Sequence, residues 1–198
     1  VLGQFDYPWF PVSGVEIAAR LLVHELQEEV FTVGPFSVAA QFRNHPVLTL
    51  GYRIQCGDRS AVYTGDHEPC FDLANLHTPG LSPGGETMRL TRPQVVALVE
   101  RANRRTADFA RGADVLVTDA QYTPEEYETK RGWGHSSTRH ALDLAVETGA
   151  RRLVLFHHDP ARSDAQLEAM ERDAQAEAKA RGAACEVTAA REGATIEI

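Results

Sequence analysis

Four short stretches of the chain concentrate side chains that ligate metals or carry protons. They are Asn44-His45-Pro46, Tyr63-Thr64-Gly65-Asp66-His67-Glu68-Pro69, Gly134-His135-Ser136-Ser137 and Phe156-His157-His158-Asp159-Pro160. Neutral imidazole and carboxylate are the ordinary ligands of Zn²⁺ and similar ions. Imidazole is also the side chain best matched to proton transfer near neutral pH. Taken singly, each stretch has a structural reading. His45 before Pro46 and Gly65-Asp66 both fit turns, and His135 fits the entry to a helix capped by Ser136. His157-His158-Asp159 is the most telling, because an apolar strand has little structural need to end in two imidazoles and a carboxylate.

Three of these stretches follow or end an expected strand, and the one around His135 precedes a helix. Side chains at strand ends stand on a rigid scaffold and share a rim, which suits chemistry. The apolar–polar alternation of Leu21 to Leu26 predicts a strand, broken by a turn at Val33-Gly34-Pro35. Phe36–Phe42, Thr49–Cys56 and Ser60–Thr64 read as three more, with Gly57-Asp58 as a hairpin turn. Residues 72–90, rich in Pro, Gly and polar groups, read as a long loop or insertion. The second half alternates helix and strand. A capping box at Thr91–Gln94 starts a helix that Gly112 stops, and Val115–Thr118 is a short strand. Thr123-Pro124 starts another helix, and a third runs from about Ser137 to Gly149. Leu153–Phe156 is a buried strand, Ser163–Arg181 an amphipathic helix, and two short strands close the chain. Antiparallel strands followed by strand–helix units predict an α/β fold, a mixed sheet with helices, over residues 1–198 as one unit.

Composition narrows the function. With 198 residues, 43% hydrophobic and 24% charged, the chain fits one soluble globular domain and neither a disordered nor a fibrous class. No apolar run is long enough for a membrane span, and no secretory leader is expected. Cys56, Cys70 and Cys185 are odd in number and widely spaced, which predicts free thiols in a reducing cytoplasm. The net charge of −8 argues against a general nucleic-acid surface. It leaves room for one phosphodiester held by a metal, since a bound dication reverses the local sign.

Together, and in this order, the four stretches resemble the later motifs of the metallo-β-lactamase superfamily, in the branch that contains ribonuclease Z and related phosphodiesterases. His45, followed by Leu50-Gly51-Tyr52-Arg53-Ile54, is similar to the third motif, and Asp66 in Tyr-Thr-Gly-Asp to the fourth. Leu155-Phe156-His157 is similar to the fifth, and Gly134-His135-Ser136-Ser137 to a Gly-His-Ser-Thr element of the branch. Val117-Thr118-Asp119-Ala120 stands where the branch has a short acidic strand end. The resemblance implies the C-terminal portion of an αββα sandwich and one or two divalent ions, zinc first, with Mn or Fe as alternatives. Asp66 would bridge them, His45 would complete one and His157 the other. His135 would lie just outside as proton donor or oxyanion partner, and His67, Asp119, His158 and Asp159 would orient the imidazoles from behind. The implied reaction is hydrolysis of a phosphodiester or similar ester, from a small-molecule or nucleotide-type substrate, by metal-activated hydroxide.

The chain also departs from that pattern. The superfamily's His-x-His-x-Asp-His run is absent, and no His-x-His occurs anywhere. Asp66 is followed by His67-Glu68 where ribonuclease Z has Thr, and His157 by His158-Asp159 rather than Phe-Ser. The expected complement is the N-terminal half of the fold, or a second copy, packed on an otherwise exposed apolar sheet face. The other reading is a non-catalytic metallo-β-lactamase-like module serving structure or association.

Overall fold

The computed structural model describes residues 22–81 and 90–198. Seven strands form one sheet whose spatial order equals the chain order. They are β1 (Val30–Val33), β2 (Phe36–Phe42), β3 (Leu50–Cys56), β4 (Arg59–Tyr63), β5 (Val115–Asp119), β6 (Arg152–Phe156) and β7 (Glu186–Ala189). The first three pairings are antiparallel and the last three parallel. Loop length explains the switch. Tight turns join β1 to β2 and β3 to β4, whereas parallel neighbours need a helical crossover. The crossovers are α1 (Arg92–Ala110), then α2 (Pro124–Tyr127) with α3 (Thr138–Thr148), then α4 (Asp164–Ala180).

Local chemistry sets the helix starts. The Gln94 side chain accepts the Thr91 N–H and the Gln166 side chain the Ser163 N–H, both at 2.8 Å. At Thr123 the box is reciprocal, with Glu126 taking the Thr123 N–H and Thr123 Oγ1 taking the Glu126 N–H. The helices then bury one stripe. Val62, Leu116, Leu153 and Val187 face one another across β4–β7 in register, all on one side of the sheet. Against them pack Ala110 of α1, Ala141, Leu142 and Ala145 of α3, and Ala174 and Ala178 of α4. The alanines let the helix backbones approach the branched strand residues closely.

The other side of the sheet is only partly covered. It presents Tyr63, Val117, Val154 and Thr188 in register, with Ile54 and Phe156 exposed. The last residues, Ala194 to Ile196, form a groove with Val117, Val154 and Phe156 on this side. That use of the C-terminus corrects one expectation: β7 is the only closing strand, because the segment after it lies across the sheet instead of along its edge. A second correction concerns residues 22–26, which form no strand and are mostly exposed. Alternation alone does not make a strand without a neighbouring ladder to satisfy its backbone. Leu21 lies outside the described residues. Residues 72–81 contain no helix or strand, and 82–89 lie outside the described residues. Among the described residues no helix is long and apolar enough to cross a membrane.

Two antiparallel steps leave β2 running the same way as β4, and β5 and β6 are parallel to β4. The C-terminal ends of β2, β4, β5 and β6 therefore share one edge of the sheet, which is where open α/β sheets place ligands. Leu153 is fully buried in the middle of the core. Leu153→Ala should lower unfolding free energy by about 2–5 kcal/mol, whereas Val146→Ala, at an exposed helix position, should change it by less than about 0.5 kcal/mol. Urea titration of both variants checks the assignment of the core.

Candidate metal centre

His45 follows β2 through Arg43 and Asn44, both buried. The Asn44 amide donates to the carbonyls of Glu68 (3.0 Å) and Asn75 (2.8 Å), and its Oδ1 accepts the His77 N–H. Asn44 thus ties the His45 loop to the segment carrying Asp66. His45 Nδ1 lies 2.8 Å from the Val47 carbonyl oxygen and 3.2 Å from Thr49 Oγ1. The tautomer that donates to Val47 leaves Nε2 with a free lone pair, as a metal ligand requires. Asp66 follows β4 after Gly65, whose φ of +66° and contacts exclude a side chain: an added Cβ would lie 2.9 Å from Thr49 Cγ2.

His157 follows β6 directly, with a φ of +58°. A non-glycine residue in the left-handed region is costly and persists where its surroundings over-determine it. One fixing contact is the hydrogen bond from Ala120 N to the Phe156 carbonyl, which continues the β5–β6 ladder to the sheet edge. His157 Nδ1 stands 3.7 Å from Asp66 Oδ1. The rings of His45 and His135 are 5.4 Å apart and those of His135 and His157 are 4.7 Å apart. Two triads have ligand atoms within 4.8 Å of one another: His45, Asp66 and His135, and Asp119, His135 and His157. The sheet edge thus brings His45, Asp66, His135 and His157 together, with His135 inside the cluster rather than beyond it.

Asp119 ends β5, and its side chain is wholly buried. Oδ2 accepts His135 Nδ1 at 2.7 Å and the His67 N–H at 3.3 Å. Oδ1 accepts the N–H groups of Ser136 (3.0 Å) and Gln121 (3.1 Å). A carboxylate offers about four acceptor sites, so these bonds leave Asp119 little capacity to ligate an ion. The bond to Nδ1 fixes the orientation of the His135 ring. Burial disfavours charge on His135, but the hydrogen bond and charge of Asp119, followed by Asp66 and Glu68, raise its pKa above the usual 6.5. The two serines divide their work. Ser137, not Ser136, is the N-cap of α3, while Ser136 Oγ donates to the His67 carbonyl at 2.6 Å.

Glu68 plays a part that sequence reasoning missed. Its buried carboxylate accepts Gly132 N and Tyr127 Oη, each at 2.8 Å, and Gly134 N at 3.0 Å. It anchors the loop that leads into His135. Gly134 sits against the His45 ring: its φ is +96°, and an added Cβ would lie 2.5 Å from His45 Cδ2 and 2.9 Å from Nε2. The pattern Gly132-Trp133-Gly134 was the available signal, since paired glycines leave backbone N–H groups accessible to an anion.

Three of the residues expected behind the ligands lie elsewhere in kind. His67 meets the site through its backbone. Its ring is buried, with Nδ1 unpartnered, and burial, then Arg43, His140 and His45, push its pKa down to about 3. His158 Nε2 turns to the Ala190 carbonyl at 3.3 Å, away from the other imidazoles. Asp159 closes a turn, accepting the Ala161 N–H on Oδ1 at 2.9 Å.

The donor set fits a borderline divalent ion. His45 has its Nδ1 engaged, His135 is held by a carboxylate, and Asp66 approaches His157, all in half-buried positions at one rim. Imidazole nitrogens and a carboxylate suit Zn, Fe or Mn alike.

No family model matches the chain. It is 28% identical over 182 residues to a ribonuclease BN of Cronobacter sakazakii, covering 79% of this chain and 57% of that protein. It is 25% identical over 189 residues to a ribonuclease Z of Bacillus velezensis, covering 82% and 59%. The chain therefore spans rather more than half the length of these relatives. The metallo-β-lactamase fold protein YhfI of Bacillus subtilis superposes with a TM-score of 0.56 at 19% identity, covering 85% of this chain and 52% of that one. Human short-form tRNase Z superposes with a TM-score of 0.51 at 20% identity, covering 85% and 44%.

Two outcomes follow from this geometry. Gly134→Ala should displace His45 and weaken any divalent-ion binding at this edge by at least about ten-fold, roughly the loss expected when a ligand is mis-set; equilibrium dialysis against buffered zinc measures it. The pH dependence of stability provides the second. His67 and His140 are both lowered in the fold, chiefly by burial. Below 6.5 the unfolded chain takes up protons that the folded chain refuses, so stability falls as pH drops from 6.5 toward 3. His67→Gln should make that slope shallower by up to about 1.4 kcal/mol per pH unit, read from urea unfolding at a series of pH values.

Proposed function

We propose that this chain, a member of the metallo-β-lactamase superfamily on its ribonuclease Z-like side, carries much of the active edge of a metal-dependent hydrolase acting on a phosphodiester or similar ester. The observation that carries the reading is the convergence of His45, Asp66, His135 and His157 at one sheet edge, with Asp119 saturated behind them. We assign His45, Asp66 and His157 as the ligands of a divalent ion that would supply Lewis acidity and an activated water, and keep His135, common to both close triads, as the proton donor. Zinc is the first choice, with Mn or Fe compatible with the same donors. His45 presents Nε2 because Val47 holds Nδ1, and Asp66 lies between the histidine-bearing loops. His135, oriented by Asp119, is the group we assign as proton donor to a leaving oxygen.

The ligand set on this chain leaves coordination positions open. A complementary half of the fold, from the same polypeptide or a second copy, completes it and covers the face bearing Ile54 and Phe156. The unpaired state of Cys56, Cys70 and Cys185 is consistent with a cytoplasmic setting.

The test pairs metal content with rate. His157→Ala should lower zinc per chain first and activity as a consequence. His135→Ala should keep its zinc and lower kcat on a chromogenic phosphodiester by roughly 10²–10⁴-fold, the usual worth of a general acid. Loss of zinc in His135→Ala would make it a ligand. A wild-type protein that binds no divalent ion would leave the non-catalytic module as the reading.

A further inference from the structure

The loop that delivers His135 carries more than the histidine. Between Tyr127 and His135 it presents Lys130, Arg131 and Trp133. Trp133 is 59% exposed, and Lys130 Nζ lies 4.0 Å from the centre of its ring. The Arg131 guanidinium lies 5.8 Å from the Tyr127 ring and 5.9 Å from that of Phe71, itself 40% exposed. A lysine, an arginine paired with Glu128 at 3.1 Å and exposed aromatic surface thus gather on the loop that leads into His135, in a chain whose net charge is −8.

The backbone that carries the indole is held in place. Glu68 accepts the N–H groups on either side of it, from Gly132 and Gly134, and Trp133 N donates to the Lys130 carbonyl at 3.1 Å. Its neighbour Gly134 abuts both His45 and Pro46. A single exposed apolar side chain needs no explanation. An exposed indole with a cation on its ring, on a loop pinned by a buried carboxylate and two residues from His135, calls for one. Rigidity of this kind lowers the entropic cost of binding a flat partner. Aromatic rings of this type bind nucleobases by stacking, and neighbouring Lys and Arg attract phosphate.

Resting on the phosphodiester reading above, we propose that Trp133, with Lys130 and Arg131, is a specificity platform that stacks on the base of a nucleotide-type phosphodiester while its phosphoryl group lies at the His45–Asp66–His157 edge.

The test uses two esters that share a leaving group, thymidine 5′-(p-nitrophenyl) phosphate and methyl p-nitrophenyl phosphate, with the metal-loaded protein as its gene encodes it. Wild type should prefer the thymidine ester in kcat/KM. Trp133→Ala should reduce that preference roughly ten-fold, the scale of one lost base–aromatic stack, and Trp133→Phe should retain most of it. An equal preference in wild type and Trp133→Ala overturns the proposal. So does a fall in Tm with equal loss on both esters, which would make Trp133 a packing residue. If neither ester is hydrolysed, the hydrolase reading fails separately. Binding of thymidine 5′-monophosphate then decides the platform: weakening in Trp133→Ala supports it, and no binding by wild type overturns it.

Discussion

A buried carboxylate that has to be satisfied organises this molecule's functional edge. Asp119 has no solvent to meet its charge, and the protein answers with donors from three places: the loop after β4, the residue two beyond β5 and the entry to α3. Leaving such a group unpaired would cost several kcal/mol, so the three segments cannot separate without penalty. Glu68 imposes a similar constraint further out, gathering a tyrosine hydroxyl and two glycine N–H groups. Both carboxylates direct their bonds inward to protein donors. The histidines they position are left facing one another with few partners of their own. Folding alone gives no reason to crowd imidazoles at a rim, and such local conflicts with stability are characteristic of functional sites.

Much of the fold was legible because its signals are local. Phe36–Phe42 shows the period of a strand and is one, residue for residue. The capping boxes at Thr91, Thr123 and Ser163 each open a helix where expected, although the one at Thr123 yields only a single turn. Failures came where the deciding partner is distant or missing. The alternation at 22–26 has no ladder beside it, and the last residues lie across a sheet face that the local pattern does not reveal. The resemblance to a known branch anticipated a metallo-β-lactamase αββα arrangement, and the mixed sheet with helices packed on one side agrees with it.

The site was legible in composition and less so in function. His45, Asp66, His135 and His157 stand out by type and strand-end placement, and topology accounts for their meeting. Glu68 did not, because its glycine partners lie 64 and 66 residues away in sequence. Ser136 and Ser137 were interchangeable on paper, and only the position of Asp119 assigns one to the carboxylate and the other to the helix cap. His158 and Asp159 follow a ligand candidate directly, yet the left-handed backbone at His157 redirects the chain, so adjacency in sequence does not become adjacency in the cluster.

The chain-ordered sheet bears on how the molecule assembles. Among the described residues each strand pairs only with those before and after it, so the sheet can lengthen at a single edge as the polypeptide leaves the ribosome, without opening an existing pair. The antiparallel pairs close through short turns, whereas each parallel pair waits for a long helical crossover, which makes the second half of the sheet the slower to form. The loops that carry the candidate ligands mature in the same sequence. The loop carrying His45 is in place once β2 and β3 have paired, Asp66 follows β4, and His157 arrives only when β6 docks on β5. The edge that gathers the four candidate ligands is therefore complete only once β6 has docked on β5.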